Sequence, residues 1–204
     1  MTLSLVSALA LGGVLTWGAV FALAGALVWA GVASGLVVVS DIRYRVIPNR
    51  VMVPALIGVP ALLALAVLLT AGQPGAPGIA QAMDGAALLD GFLGGTILAA
   101  VHFALAMAGG LGGGDVKLAL LLGILLGTLG GWPAVWWGGV LAWGCAGIAV
   151  LVQRVARAPC STDGIPFAPC LAAGSWAVVL TVLLTDESPV FVSVVSAGLR
   201  AANE

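Results

Sequence analysis

The chain has 204 residues, of which 62% are hydrophobic and only 7% charged, seven basic and eight acidic. A soluble domain covers itself with about 25% charged residues, so this composition excludes a soluble globular fold, and it excludes disorder, which needs low hydrophobicity and high charge. A net charge of −1 with no Lys/Arg run offers nothing to neutralise a phosphate backbone, which argues against any nucleic-acid partner.

What remains is an all-α, polytopic transmembrane helical bundle in a lipid bilayer. A crossing takes about 20 apolar residues, so a chain of this length holds about six spans, or seven. A β-barrel would show alternating segments of about ten residues, whereas the apolar runs here are continuous. In chain order, Leu3 to Ser40 carries no charge. That run is too long for one span, with Gly12-Gly13 or Trp17-Gly18 as the expected turn. A firm span is predicted from about Val20 to Ser40, behind an apolar segment 1–19 that either crosses or lies in the interface. A cleaved signal peptide is disfavoured because the start lacks a basic n-region.

Asp41 to Arg50 is the first polar island, with Arg43, Arg45 and Arg50. Val51 to Ala71 reads as the next span, with Pro54 and Pro60 predicting a kink or local unwinding. A Pro/Gly-rich loop, Gln73 to Ala80, precedes Asp84, Asp90 and the span Leu88 to Ala108, which holds the only histidine, His102. Gly109 to Lys117 is the second island. Leu118 to Gly131 and Ala134 to Val152 read as a pair of spans turned at Trp132-Pro133. Arg154 and Arg157 open a third island that runs to Pro169, Cys170 to Leu184 crosses again, and Val190 to Leu199 is too short to span. The whole chain, 1–204, reads as one integral-membrane domain.

Six of the seven basic residues, Arg43, Arg45, Arg50, Lys117, Arg154 and Arg157, fall in alternate loops, and the opposite loops have none. By the positive-inside rule the three islands face the cytoplasm. The reading is therefore a multi-pass protein of the cytoplasmic membrane, with any chemistry in the islands on the cytoplasmic side.

Asp41 and Asp115 each stand at a membrane boundary, where a bundle could bring them together at one depth. Charge at membrane depth is costly and marks function. Two facing carboxylates share a proton, so one can act as base on a water while the other polarises a carbonyl. This is acid–base hydrolysis that calls for no cofactor. Gly109 to Gly114, apart from Leu111, are glycines leading into Asp115. They permit either close backbone approach to a substrate or tight helix packing.

Gly112-Gly113-Gly114-Asp115-Val116-Lys117-Leu118 matches the GxGDxKL signature of the prepilin peptidases, the type IV leader peptidase family of membrane aspartic proteases. The stretch from Asp41 to Asn49 resembles the family's other signature, an aspartate followed six and seven residues later by Ile47-Pro48. Ile165 to Leu171 is similar to the IPFGP-type segment before the family's last span. The resemblance implies a single peptidase domain with Asp41 and Asp115 as the catalytic pair, supported by Gly112, Gly114, Lys117, Ile47 and Pro48. It also implies a substrate, a type IV pilin or pilin-like precursor cut after its short basic leader at the cytoplasmic face. Longer members carry paired CxxC motifs that bind a structural metal. The cysteines here, Cys145, Cys160 and Cys170, form no CxxC, so neither a metal site nor a disulfide framework is indicated. The chain resembles the short form that serves tight-adherence pili or archaeal-type systems.

Two other readings of the carboxylates differ in what they require. A proton-coupled transporter with Asp41 and Asp115 as relays needs polar residues strung through the spans, which are nearly bare of them. A presenilin-like protease needs a different first motif and a PAL segment near the C-terminus. Among the remaining polar residues, Lys117 counters Asp115, meets a substrate carbonyl or anchors at the interface, and Arg43 and Arg45 read as anchors to anionic lipid. Asp84 and Asp90 read as solvated or capping residues, Asp163 as a loop residue, and His102 as a packing histidine. Trp132, Trp136, Trp137 and Trp143 fit an interfacial belt and helix packing, and need no ligand.

Overall fold

The computed structural model describes residues 2–71, 85–109, 111–155 and 166–184, with residues 2–16 and 70–71 by backbone alone. The predicted Gln73–Ala80 loop, Asp84, Arg157, Cys160, Asp163, Ile165, Asp186-Glu187 and the stretch Val190–Leu199 lie outside those residues. Five helices follow in order: α1 (Thr2–Tyr44), α2 (Asn49–Ala71), α3 (Gly85–Met107), α4 (Gly113–Val155) and α5 (Ala168–Leu184). Trp17–Tyr44, Asn49–Leu69, Gly85–Met107 and Gly113–Val155 are long and apolar enough to cross a bilayer, and α5 is apolar but shorter.

α4 is folded on itself. At Gly131 the backbone leaves the helical region (φ 62°, ψ −158°), a conformation that glycine adopts without penalty. A Cβ placed on Gly138 would stand 2.5 Å from Leu126 Cδ1, although twelve residues of straight helix would separate the two by about 18 Å. The two arms of α4 are thus antiparallel, and the described residues form six helical segments, where six or seven spans were expected. The expected turn at Trp132-Pro133 is a break one residue earlier, and Pro133 opens the second arm, where its missing N–H leaves no bond unmade.

The other neighbours are antiparallel too. Gly18 faces Leu69, Gly25 faces Leu62 and Trp29 lies against Gly58 between α1 and α2. Gly130 faces Val182, and Gly174 abuts the backbone at Leu141 and Ala142, between α4 and α5. The end of α1 and the starts of α2, α4 and α5 therefore share one end of the bundle.

The first arm of α4 is the central element. From Leu118 to Leu129 every residue but Leu120 is buried. Its leucines at 118, 121, 122, 125 and 126 are fully enclosed, as expected of a helix that is apolar all round. α3 packs against this arm through small residues. Gly91 and Gly95 of α3 meet Gly123, Gly127 and Thr128 of α4, and a Cβ on Gly95 would lie 2.8 Å from the Leu120 carbonyl oxygen and 2.9 Å from the Ile124 amide. Both helices present a small-xxx-small repeat, the pattern that lets membrane helices bring their backbones together.

The outside of the bundle is apolar. Phe21, Leu68 and Trp136 are each 70% or more exposed, which water would not tolerate over such an area and lipid does. The α1 helix runs unbroken through Gly12-Gly13 and Trp17-Gly18, where a turn was expected. Inside hydrocarbon a turn would strip backbone groups of partners, and glycine alone does not force one. α2 is likewise helical through Pro54 and Pro60. Because backbone atoms line the α3–α4 contact, Gly95→Val is expected to cost about 1–3 kcal/mol, read as a lower unfolding midpoint in detergent. Gly35→Ala, whose Cβ would meet nothing within 4 Å, is expected to leave that midpoint unchanged or slightly raised.

Candidate active site

α1 ends where Ile47-Pro48 forbid helical continuation, since the residue before proline is pushed out of the helical region. The Arg45 amide makes a last bond to the Asp41 carbonyl oxygen at 3.0 Å, and Arg45 takes a left-handed conformation (φ 55°). The Ser40 hydroxyl donates to the Val46 carbonyl at 2.7 Å and closes the corner. The Pro48 carbonyl accepts the Val51 and Met52 amides at 3.1 and 3.2 Å, which starts α2 at Asn49. Asp41 thus sits in the last turn of α1, and it is 9% exposed.

Asp115 lies in the first turn of α4, 7% exposed. Its amide donates to the Gly112 carbonyl at 3.1 Å, and its Oδ2 accepts the Gly112 amide at 3.1 Å. This is the carboxylate half of a capping box, placed where the helix dipole favours negative charge. It also explains why α4 begins at Gly113, five residues before the predicted span. The other oxygen, Oδ1, is buried without a hydrogen-bond partner.

Two more contacts dock the α1–α2 corner on the start of α4. The Lys117 ammonium donates to Asn49 Oδ1 at 2.6 Å. Ile47 lies against Gly114, where a Cβ would stand 2.5 Å from Ile47 Cβ and 2.8 Å from its Cδ1. The neighbouring glycines differ. A Cβ on Gly112 would meet Asp115 Oδ2 only at an ordinary 3.5 Å, and one on Gly113 would meet nothing within 4 Å. Gly114 alone of the three is required by space.

The outcome is that Asp41, Asp115, Gly112, Gly114, Lys117, Ile47 and Pro48 gather at one end of the bundle. The Ile47–Gly114 contact and the Lys117–Asn49 hydrogen bond bring the helix end that carries Asp41 to the helix start that carries Asp115. A third element joins them: the Ala168 amide, at the start of α5, donates to Asp41 Oδ2 at 3.2 Å across 127 residues of sequence. No role for Ala168 or for the adjoining Phe167 was read from the sequence. The available signal was Pro166 and Pro169 bracketing a helix start in the third motif. His102 is fully buried, as a packing histidine should be, and its Nδ1 lies 2.7 Å from the Leu98 carbonyl oxygen. Arg43 and Arg45 are exposed, and Cys145 and Cys170 are free thiols, half-buried. Among the described residues no group of three or more His, Cys, Asp and Glu side chains could hold a metal ion.

Buried carboxylates from two separate motifs, meeting beside a glycine-led helix start, are what a membrane aspartic hydrolase would need. Residues 28–152 match the type IV leader peptidase family, and the chain belongs to that family. It is similar to the prepilin leader peptidase/N-methyltransferase of Bacillus subtilis (strain 168), at 34% identity over 140 residues, which cover 69% of this chain and 49% of that protein. The chain thus spans about half the length of the curated relative it matches. No solved structure matches it.

The Gly114–Ile47 contact has a measurable signature. Gly114→Ala is expected to displace the α1–α2 corner and lower activity about tenfold or more, because a shift of about 1 Å near a reacting pair is costly. Ile47→Gly in the same chain removes the Cβ that the new methyl would meet, so a double-mutant cycle on activity is expected to show the two changes coupled, with the double variant more active than Gly114→Ala alone.

Proposed function

We propose that this protein is a membrane-embedded aspartic endopeptidase that removes the short basic leader of type IV pilin-like precursors at the cytoplasmic membrane face. The observation that carries the reading is that Asp41 and Asp115, both nearly enclosed, stand at the same end of the bundle. Family membership and the similarity to the prepilin leader peptidase/N-methyltransferase of Bacillus subtilis support the substrate class.

The chemistry follows from two carboxyl groups that share one proton. The ionised one takes a proton from a water held between them, and the water oxygen bonds to the scissile carbonyl carbon. The protonated one gives its proton to the carbonyl oxygen. The tetrahedral intermediate then collapses: the C–N bond breaks, the leaving nitrogen takes the proton from the first carboxyl, and a hydroxyl of the intermediate gives its proton to the second. The products are a leader with a new carboxyl terminus and a mature protein with a new amine, and the pair is back at one shared proton. Enclosure of the site strengthens each of these electrostatic contacts relative to water.

The orientation rests on charge. Arg43, Arg45, Arg50 and Lys117 stand at the dyad end, and so does Arg154, because the second arm of α4 runs back toward the start of the first. Positive residues favour the cytoplasmic side. A precursor whose leader is basic and whose next segment is an apolar helix would arrive with its cleavage site at the depth of the dyad. A processing assay with a co-expressed pilin precursor tests the reading. Asp41→Asn and Asp115→Asn are each expected to abolish processing, at least about a thousandfold, while the protein still accumulates in the membrane. Full activity in either variant removes that aspartate from the mechanism.

A further inference from the structure

The two carboxylates are supported in different ways. Asp115 is held by its own helix start, through the Gly112 amide. Asp41 cannot be, because it lies in the last turn of α1. There the free backbone groups are carbonyls and the helix dipole is negative, so that end of α1 repels a carboxylate. The donor comes from elsewhere. Ala168 is the first helical residue of α5, its amide is one of the donors a helix start leaves unpaired, and it is directed at Asp41 Oδ2. The positive end of α5 supplies what the negative end of α1 lacks.

The position of that amide is set by an aromatic cluster. Phe167 precedes it, is 8% exposed, and caps α5 through its carbonyl, which accepts the Leu171 amide at 3.0 Å. The Phe167 ring centroid is 4.9 Å from that of Trp143 and 5.6 Å from that of His102, and His102 and Trp143 are 5.9 Å apart. Separations of 4.5–7 Å are those of favourable ring pairs. His102 is fixed in turn, because its Nδ1 faces a carbonyl oxygen that can only accept, so the Nδ1 proton is committed there. Three elements, α3, the second arm of α4 and α5, therefore converge on Phe167, one residue from the donor.

We propose that the first turn of α5 is the positioning device of the dyad: the Ala168 amide orients Asp41, and the His102–Trp143–Phe167 cluster fixes where that amide stands. This rests on reading Asp41 and Asp115 as the catalytic pair. His102 takes no part in proton transfer here; it acts through Phe167. Ala168 lies beyond residues 28–152, the segment matched to the family.

The decisive variant is Ala168→Pro, which deletes the N–H at a helix position where proline is otherwise accepted. Ala168→Gly keeps the N–H and serves as the conservative partner. The probe is a synthetic peptide with a short basic leader followed by an apolar helix of about 20 residues, cleaved in detergent micelles. Ala168→Pro is expected to lower kcat about a hundredfold with KM within about twofold, while Ala168→Gly stays within about threefold of the wild type in both. Phe167→Leu keeps an apolar side chain but loses the ring contacts, and is expected to lower kcat about tenfold, again without a KM change.

Wild-type kcat in Ala168→Pro, or a loss confined to KM, overturns the proposal. If Ala168→Pro does not accumulate in the membrane, Phe167→Leu decides, and wild-type kcat there overturns it. Asp41→Asn in the same assay separates this idea from the one beneath it. An inactive Asp41→Asn beside a fully active Ala168→Pro sinks the positioning role alone, whereas an active Asp41→Asn sinks the dyad.

Discussion

Helix ends are the difficult places in an apolar bundle. Along a helix every backbone group finds its partner, but the first turn leaves amides unpaired and the last leaves carbonyls, and no water reaches the hydrocarbon to meet them. At the end of this bundle where α4 and α5 start, carboxylates meet part of that demand. Asp115 accepts the Gly112 amide at the start of α4, and Asp41 accepts the Ala168 amide at the start of α5. The side chains placed at the centre of the proposed chemistry are therefore also structural caps. That double use accounts for how two acidic groups stand nearly enclosed among apolar helices.

Holding them there takes close packing elsewhere. The first arm of α4 passes through the middle of the molecule, and it can do so because Gly91 and Gly95 on α3 and Gly123 and Gly127 on α4 leave room for the backbones to touch. The fold at Gly131 then returns the chain to the dyad end, where Trp143 reaches Phe167. The α1–α2 corner is pressed onto the α4 start by Ile47 against Gly114 and by the Lys117–Asn49 hydrogen bond. Each of these contacts joins residues far apart in sequence, and each bears on the place of one carboxylate.

Much was legible before any coordinates. Hydrophobic length and the clustering of basic residues are additive along the chain, so the membrane class, the helical segments and the common end of the polar islands could be read directly. The aspartate motifs were legible for a different reason. An acidic residue at a membrane boundary is expensive, so Asp41 and Asp115 stood out, and Ile47-Pro48 could be read as a place where a helix stops.

What tertiary structure alone decided concerns pairs of elements. Gly12-Gly13 looks like a turn and is not one, whereas the turn expected at Trp132-Pro133 exists and pivots at Gly131. Gly112, Gly113 and Gly114 are indistinguishable as letters, yet only Gly114 has a neighbour that leaves no room for a side chain. Ala168 carries no side-chain chemistry at all, and its contribution is an amide whose direction depends on where α5 begins and on which helix lies opposite. Composition records what each residue costs in lipid or water, but it does not record which helix faces which. The amide that meets Asp41 became visible only when the helices were packed.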